Sequence, residues 1–179
     1  MNEEVIVAAR GGADWAWTAI YRELAPAVLG YLRSRGAVEP DDLLGEVFLQ
    51  VVRDLHKFDG TARDFRAWVF VIAHHRMLDE SRRRARQPVE PLARFADGEH
   101  RVENVEDDAL QAISTDRIRT ILDKVSPDQR EVLLLRILGG LTIDEIARAL
   151  EKRPGAIKAL QRRGLAAIER EISRTGVPL

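Results

Sequence analysis

"SPDQREVLLLRILGGLTIDEIARALEKRPGAIKALQRR", residues 126–163, decides the fold. Ser126, with Pro127 behind it and Gln129 three positions on, is a capping box: each polar side chain can satisfy a backbone N–H left free at a helix start. That helix stops at the glycine pair 139–140. Thr142 and Glu145 repeat the pattern and open a short helix to about position 150. Pro154 then pre-sets the first turn of a third helix, which runs to about 174. A short helix, a tight turn and a longer helix make a helix-turn-helix arrangement.

Ile146, Ala147 and Leu150 supply the inner face of the short helix. Ile157, Leu160 and Ile168 supply that of the long one. Lys158 and Arg162, four apart, then stand side by side on the outside, with Arg153 and Arg163 flanking them. A second helix that buries one side and points cations outward suits insertion into a DNA major groove. The alternative is a helical hairpin with a solvated basic face. Glu151 and Lys152 favour that alternative, because they occupy a turn that usually holds a small and an apolar residue.

Upstream, the chain is also helical. Asp14 can cap a helix from Trp15, and Pro26 is expected to divide that segment in two. Pro40 opens "PDDLLGEVFLQVVRDLHKF", where Leu44, Val47, Phe48, Val51 and Leu55 recur at helical spacing. After the turn "DGTARD" a long helix is expected over 64–86, with Phe65, Trp68 and Ile72 on its inner stripe and His75 and Asp79 continuing it. "QPVEPLARFADGEHRVENVEDD" then has no sustained period and reads as a linker. A further helix is expected over 108–124. The fold class is therefore all-α: two small helical domains, 1–88 and 108–179, joined by a flexible acidic linker over 89–107, each with a modest core.

Composition narrows the function. Apolar residues are 45% of the 179 and charged residues 32%, as in a soluble globular protein. Nothing approaches the roughly 18 uninterrupted apolar residues of a membrane span. The N-terminus "MNEEVIVAARGG" lacks the basic-then-apolar layout of a secretory signal, and no added C-terminal domain is expected after "RTGVPL". With no cysteine there is neither a disulfide framework nor a thiolate metal site, and a reducing cytoplasm fits. The net charge of −1 hides segregation: residues 37–59 carry about −4 and residues 148–174 about +5. A polyanion would be drawn to one part of the molecule and repelled by another.

"DDLLGEVFLQVVRDLHKFDG" followed by "FRAWVFVIAHHRMLDESRRRAR" resembles region 2 of bacterial RNA polymerase sigma factors of the extracytoplasmic-function (ECF) group. The stretch over 126–163 resembles their region 4. The resemblance covers most of the chain, in the right order. It implies a factor that binds core RNA polymerase and directs initiation at promoter DNA with −10 and −35 elements, in a bacterial cytoplasm. Polymerase contacts would involve the beta-prime coiled coil and the beta flap. Asp41, Asp42 and Glu46 would face the coiled coil. The −10 element would meet the loop "KFDGTARD" and the adjoining helix through Phe58, His75, Arg76 and Asp79. Arg82, Arg83, Arg84 and Arg86 would hold phosphates at its upstream edge, positioning without reading sequence. Base reading at −35 would fall to the helix from Pro154, through Arg153, Lys158, Gln161, Arg162 and Arg163. An anti-sigma factor is implied as a further partner. His75 stands where the family usually has Asn, and Gly45 where Gln is common. Ala156 and Leu160 replace the usual Thr and Arg.

No residues point to catalysis, a metal or a cofactor. His74 and His75 are adjacent, so on a helix they diverge by about 100° and cannot jointly grip one ion. There is no glycine-rich phosphate loop and no nucleophile motif. Two other readings compete: a free-standing helix-turn-helix regulator, and a helical interaction module without a nucleic-acid role.

Overall fold

The structure is a computed structural model and describes residues 2–86 and 124–175. The linker expected over 89–107, and nearly all of the helix expected over 108–124, lie outside them. Every described element is helical. In chain order these are α1 (Glu3–Arg10), α2 (Asp14–Ser34), α3 (Pro40–Asp54), a 3-10 turn (Leu55–Lys57), α4 (Ala62–Arg86), α5 (Pro127–Ile137), α6 (Ile143–Ala149) and α7 (Pro154–Thr175).

Local chemistry sets the boundaries. Asn2 accepts from the Val5 amide and starts α1, a helix that hydrophobic periodicity alone does not announce. Thr61 and Asp64 bracket the start of α4: the Thr61 amide and hydroxyl both donate to Asp64 Oδ2, at 2.9 and 2.8 Å. Those donors hold the Asp64 carboxyl below its usual pKa, the backbone N–H contributing most. Both expected capping boxes, Ser126 with Gln129 and Thr142 with Glu145, are present.

Pro26 does not divide its segment. α2 runs unbroken through it. The proline ring is on the exposed side, so the carbonyl it frees one turn back can turn toward water. Leu24, Val28, Tyr31 and Leu32 are fully buried on the other side. Their burial, at about 1.5–3 kcal/mol per large side chain, offsets the roughly 3 kcal/mol cost of an interior proline.

The inner face of α4 also differs from expectation. It follows Phe65, Val69, Phe70, Ile72, Ala73, His74 and Met77, whereas His75 and Asp79 are exposed. A straight helix of 3.6 residues per turn carries the core-facing line to the neighbouring histidine.

Two separate modest cores were expected. Instead the buried residues join in one cluster, from Ile6 through α2, α3 and α4 to Val132, Leu135, Leu141, Ile146 and Ile157. The junction is tight at Gly139: a Cβ there would lie 2.7 Å from the Leu135 carbonyl oxygen, 2.6 Å from Leu141 Cδ1 and 3.0 Å from Phe70 Cγ. Gly139→Ala is therefore expected to destabilise the protein by about 2 kcal/mol through overpacking, read as a lower denaturation midpoint with an unchanged slope.

Candidate nucleic-acid interface

The helix-turn-helix forms as its inner faces dictate. Ile146 and Ile157 are fully buried against each other's neighbourhood and Ala147 nearly so, while Leu150 and Leu160 are half-buried. α7 also crosses α5, and Gly164 allows it: a Cβ at that position would meet Leu133 Cδ1 at 2.8 Å. The small residue thus serves the crossing with α5.

The outer face of α7 carries the expected cations. Arg153, Lys158, Arg162 and Arg163 are exposed and Gln161 is half-buried. Arg163 Nε donates back to the Ala159 carbonyl at 3.3 Å. Among the described residues Arg153, Lys158 and Arg162 make no ion pair. No acid sits in the first turn of α7, so the positive end of the helix dipole adds to their field.

The turn before α7 is strained. Glu151 has φ 52°, a left-handed conformation that costs a residue with a Cβ roughly 1–2 kcal/mol. Its amide donates to the Arg148 carbonyl at 3.3 Å, and the Lys152 amide to that of Ala147 at 2.9 Å, so the chain must turn here. Glu151→Gly should stabilise the protein by about 1 kcal/mol, since glycine enters this region freely. A melting point a few degrees higher is the expected reading.

The second face centres on α4 and the loop before it. Phe58 is only 8% exposed. Its ring packs on Phe65 and Trp68, with centroids at 5.3 and 5.2 Å. Arg10 lies over it and donates to the Phe58 carbonyl. The ring is therefore a wall of the loop and not a free stacking platform. A hollow of about 280 Å³ opens beside it, lined by Lys57, Phe58, Asp64, Trp68, Val71 and Glu145. His75 is exposed two turns further along α4; partial burial, then the adjacent His74, lower its pKa below the usual histidine value.

The four arginines at the end of α4 are all exposed. Arg82 lies 3.7 Å from Asp79, Arg83 3.6 Å from Glu46 and Arg84 3.4 Å from Glu80. Apart from the largely covered Glu80 the partners are exposed, and such pairs are worth little in water and readily exchanged for a phosphate. Arg86 makes no ion pair among the described residues.

Arg76 is different. Its Nε donates to Gln50 at 2.7 Å and its guanidinium lies 3.8 Å from Glu46, so it ties α4 to α3.

The acidic side of α3 is accordingly part-engaged. Asp41 lies 3.4 Å from Arg33, Glu46 faces Arg76 and Arg83, and Asp42 is exposed without an ion pair among the described residues. The same helix shows a feature the charge pattern concealed. Leu49 and Val52 are 66% and 52% exposed, and the ring of Tyr21, also exposed, packs on Phe48 at 4.8 Å. Trp17, Tyr21, Phe48 and Val52 line a mainly apolar hollow of about 350 Å³. Two exposed aliphatics three apart, beyond the buried stripe, were the available signal.

Among the described residues no group of three or more His, Asp or Glu converges as a metal site. None of the described helices is long and apolar enough to cross a membrane.

Comparison with known proteins fits this arrangement. Residues 20–87 match the family model of sigma-70 region 2, and residues 115–168 that of sigma-70 region 4. The chain is 32% identical to the ECF RNA polymerase sigma factor ShbA of Streptomyces griseus over 151 residues, 79% of each chain. It is 29% identical to the ECF RNA polymerase sigma factor BldN of Streptomyces coelicolor over 93% of its own length, and spans 64% of BldN's. Its fold is similar to that of the sigma factor RpoE, solved in complex with the anti-sigma factor NepR from Bartonella quintana. There the TM-score is 0.60 at 17% identity, covering 87% of this chain and 96% of the other. With both regions present in order and a relative matched over most of its length, the chain belongs to the ECF RNA polymerase sigma factors.

Proposed function

We infer that this chain binds core RNA polymerase and directs it to promoters through two separated DNA contacts. The observation that carries the reading is the outer face of α7. It holds Arg153, Lys158 and Arg162, without an ion pair among the described residues, along the first turns of the helix and outside a buried Ile157, on a chain whose other end matches sigma region 2.

Arg153, Lys158, Gln161, Arg162 and Arg163 are assigned to the −35 element. The hollow beside Phe58 and the surface of α4 bearing His75 and Asp79 are assigned to the −10 element. Arg82, Arg83, Arg84 and Arg86 are assigned to its phosphates. Arg76 acts there as a positioning residue, through Gln50 and Glu46.

Polymerase docks on the outer side of α3. Leu49, Val52 and Tyr21 supply apolar contact, and Asp41, Asp42 and Glu46 supply charge for the beta-prime coiled coil. The C-terminal helices meet the beta flap. The complex of RpoE with NepR supports an anti-sigma factor as a further partner, and a role with RNA polymerase would put the chain in the bacterial cytoplasm.

Reconstitution tests the reading. Core polymerase plus this chain should start RNA at discrete genomic positions sharing two spaced elements. Sequence-specific binding to duplex DNA by the chain alone, unimproved by polymerase, would instead make it a free-standing regulator.

A further inference from the structure

An opening of about 430 Å³ lies where the ends of α2 and α4 meet, outside the surfaces assigned above. α2 stops at Ser34 and the chain turns through Arg35 and Gly36, while α4 continues to Arg86. Met77 is the last buried residue of α4. Ser81, Arg84 and Ala85 follow four, seven and eight positions on, along the same side of the helix, and are exposed. With Leu78 they form one wall, and Arg35 and Gly36 form the other. Gly36 has φ 79° and nothing within 4 Å of the place a Cβ would take, so that side of the mouth is open.

Arg84, grouped above with its neighbours as a phosphate contact, offers its charge on another side of α4. At about 100° per residue it leaves the helix roughly 160° from both Arg82 and Arg86. Its Nη2 reaches the Gly36 carbonyl at 3.5 Å and Glu80 at 3.4 Å, long contacts that a better acceptor displaces. Glu80 also accepts from the Val38 amide at 3.2 Å. Arg35 pairs with Glu131, and its buried Nε has no hydrogen-bond partner among the described residues. Ser81 adds a hydroxyl that can donate or accept. Four arginines against Asp79 and Glu80 over positions 79–86 keep the field positive despite the negative end of the helix dipole.

We propose that this opening binds a soluble nucleoside phosphate, its base against Met77, Leu78 and Ala85 and its phosphate between Arg35 and Arg84. The volume falls in the range of small-molecule sites, which pair an apolar lining with a few polar groups. A methionine sulfur favours an aromatic ring, and a guanidinium matches phosphate oxygens two at a time. A promoter strand lying along His75, Asp79, Arg82 and Arg86 would run on the far side of α4, so the ligand is a free nucleotide.

Calorimetric titration of the full chain with ADP, and separately with GDP, tests this. One nucleotide per chain is expected. Arg84→Ala should weaken binding by about tenfold or more, with Arg84→Lys recovering part of the loss. Ala85→Glu, which sets a carboxylate at the mouth, should weaken it at least as much. Both positions are exposed, so melting should be unchanged within about 0.5 kcal/mol. Arg82→Ala should leave ADP affinity within about twofold and instead weaken binding of a random-sequence single-stranded 20-mer. Pyrophosphate, which lacks a base, and adenosine, which lacks a phosphate, should each bind at least about tenfold more weakly than ADP.

The absence of saturable heat with both nucleotides overturns the proposal. So does pyrophosphate binding as tightly as ADP, which would leave an adventitious anion contact only. Wild-type nucleotide affinity in both Arg84→Ala and Ala85→Glu also overturns it. A 20-mer that displaces ADP and loses the same affinity on Arg84→Ala would give the opening to the promoter strand instead.

Discussion

Exchanging Lys158 and Arg162 together for alanine is expected to cut transcription from a −35-dependent promoter by roughly a hundredfold or more, taking about 1–3 kcal/mol for each lost base contact. Both side chains leave the exposed face of α7, four residues apart, without an ion-pair partner among the described residues. Alanine keeps the helix, being its best former, and Ile157 beneath is untouched. The loss should therefore appear in promoter use while thermal stability stays within about 0.5 kcal/mol of the wild type. A promoter that depends only on its −10 element should respond little. Arg163→Ala should cost less than either single exchange, because its guanidinium is already turned back to the Ala159 carbonyl. If the double variant used the −35-dependent promoter as the wild type does, α7 would not be the reading helix.

How much of this was legible beforehand follows from the range of each signal. Capping boxes act over three residues, so Ser126 with Gln129 and Thr142 with Glu145 placed α5 and α6 from the sequence alone. Pro154 placed α7 in the same way. Pro26 misled because its ring was judged without knowing which side faces water. The side of a helix that a proline occupies depends on partners far away in the chain.

The buried contact of Glu131 with Tyr31, His74 and Arg35 was the largest omission, for the same reason. Glu131 reads as one acid among many, yet it precedes Leu135 by four and Leu138 by seven. A charged residue on an apolar stripe was the available clue, and it pointed to a buried partner without naming one. Tyr31, His74 and Arg35 could be found only once the two halves were docked. His74 carried a similar clue, lying nine positions after Phe65 and four after Phe70, whereas its neighbour His75 attracted attention through the family pattern. Phe58 shows the opposite limit. It was expected beside the −10 pocket, and its ring is packed against Phe65 and Trp68.

Placing glutamates at positions 49 and 52 is expected to weaken binding of core polymerase by more than a hundredfold, the larger of the effects foreseen on α3. The carboxylates first drawn from the sequence are partly occupied inside the molecule: Asp41 faces Arg33, and Glu46 faces Arg76 and Arg83. Charges so placed set orientation and encounter rate more than affinity. Leu49 and Val52 are different. Each presents more than half of its surface to solvent, Val52 at the rim of an apolar hollow that Tyr21 also lines, and exposed apolar surface gathered on one side of a helix marks an interaction surface. Removing a central apolar anchor costs about 2 kcal/mol or more, and burying a carboxylate in its place adds an unpaired-charge penalty. Leu49→Glu with Val52→Glu should leave the fold intact, since both positions face water and glutamate suits a helix. Asp42→Ala, by contrast, should reduce binding about tenfold or less, with a loss that fades as salt rises. Equal losses for the two variants, or wild-type capture of polymerase by the double glutamate variant, would move the docking surface away from the apolar side of α3.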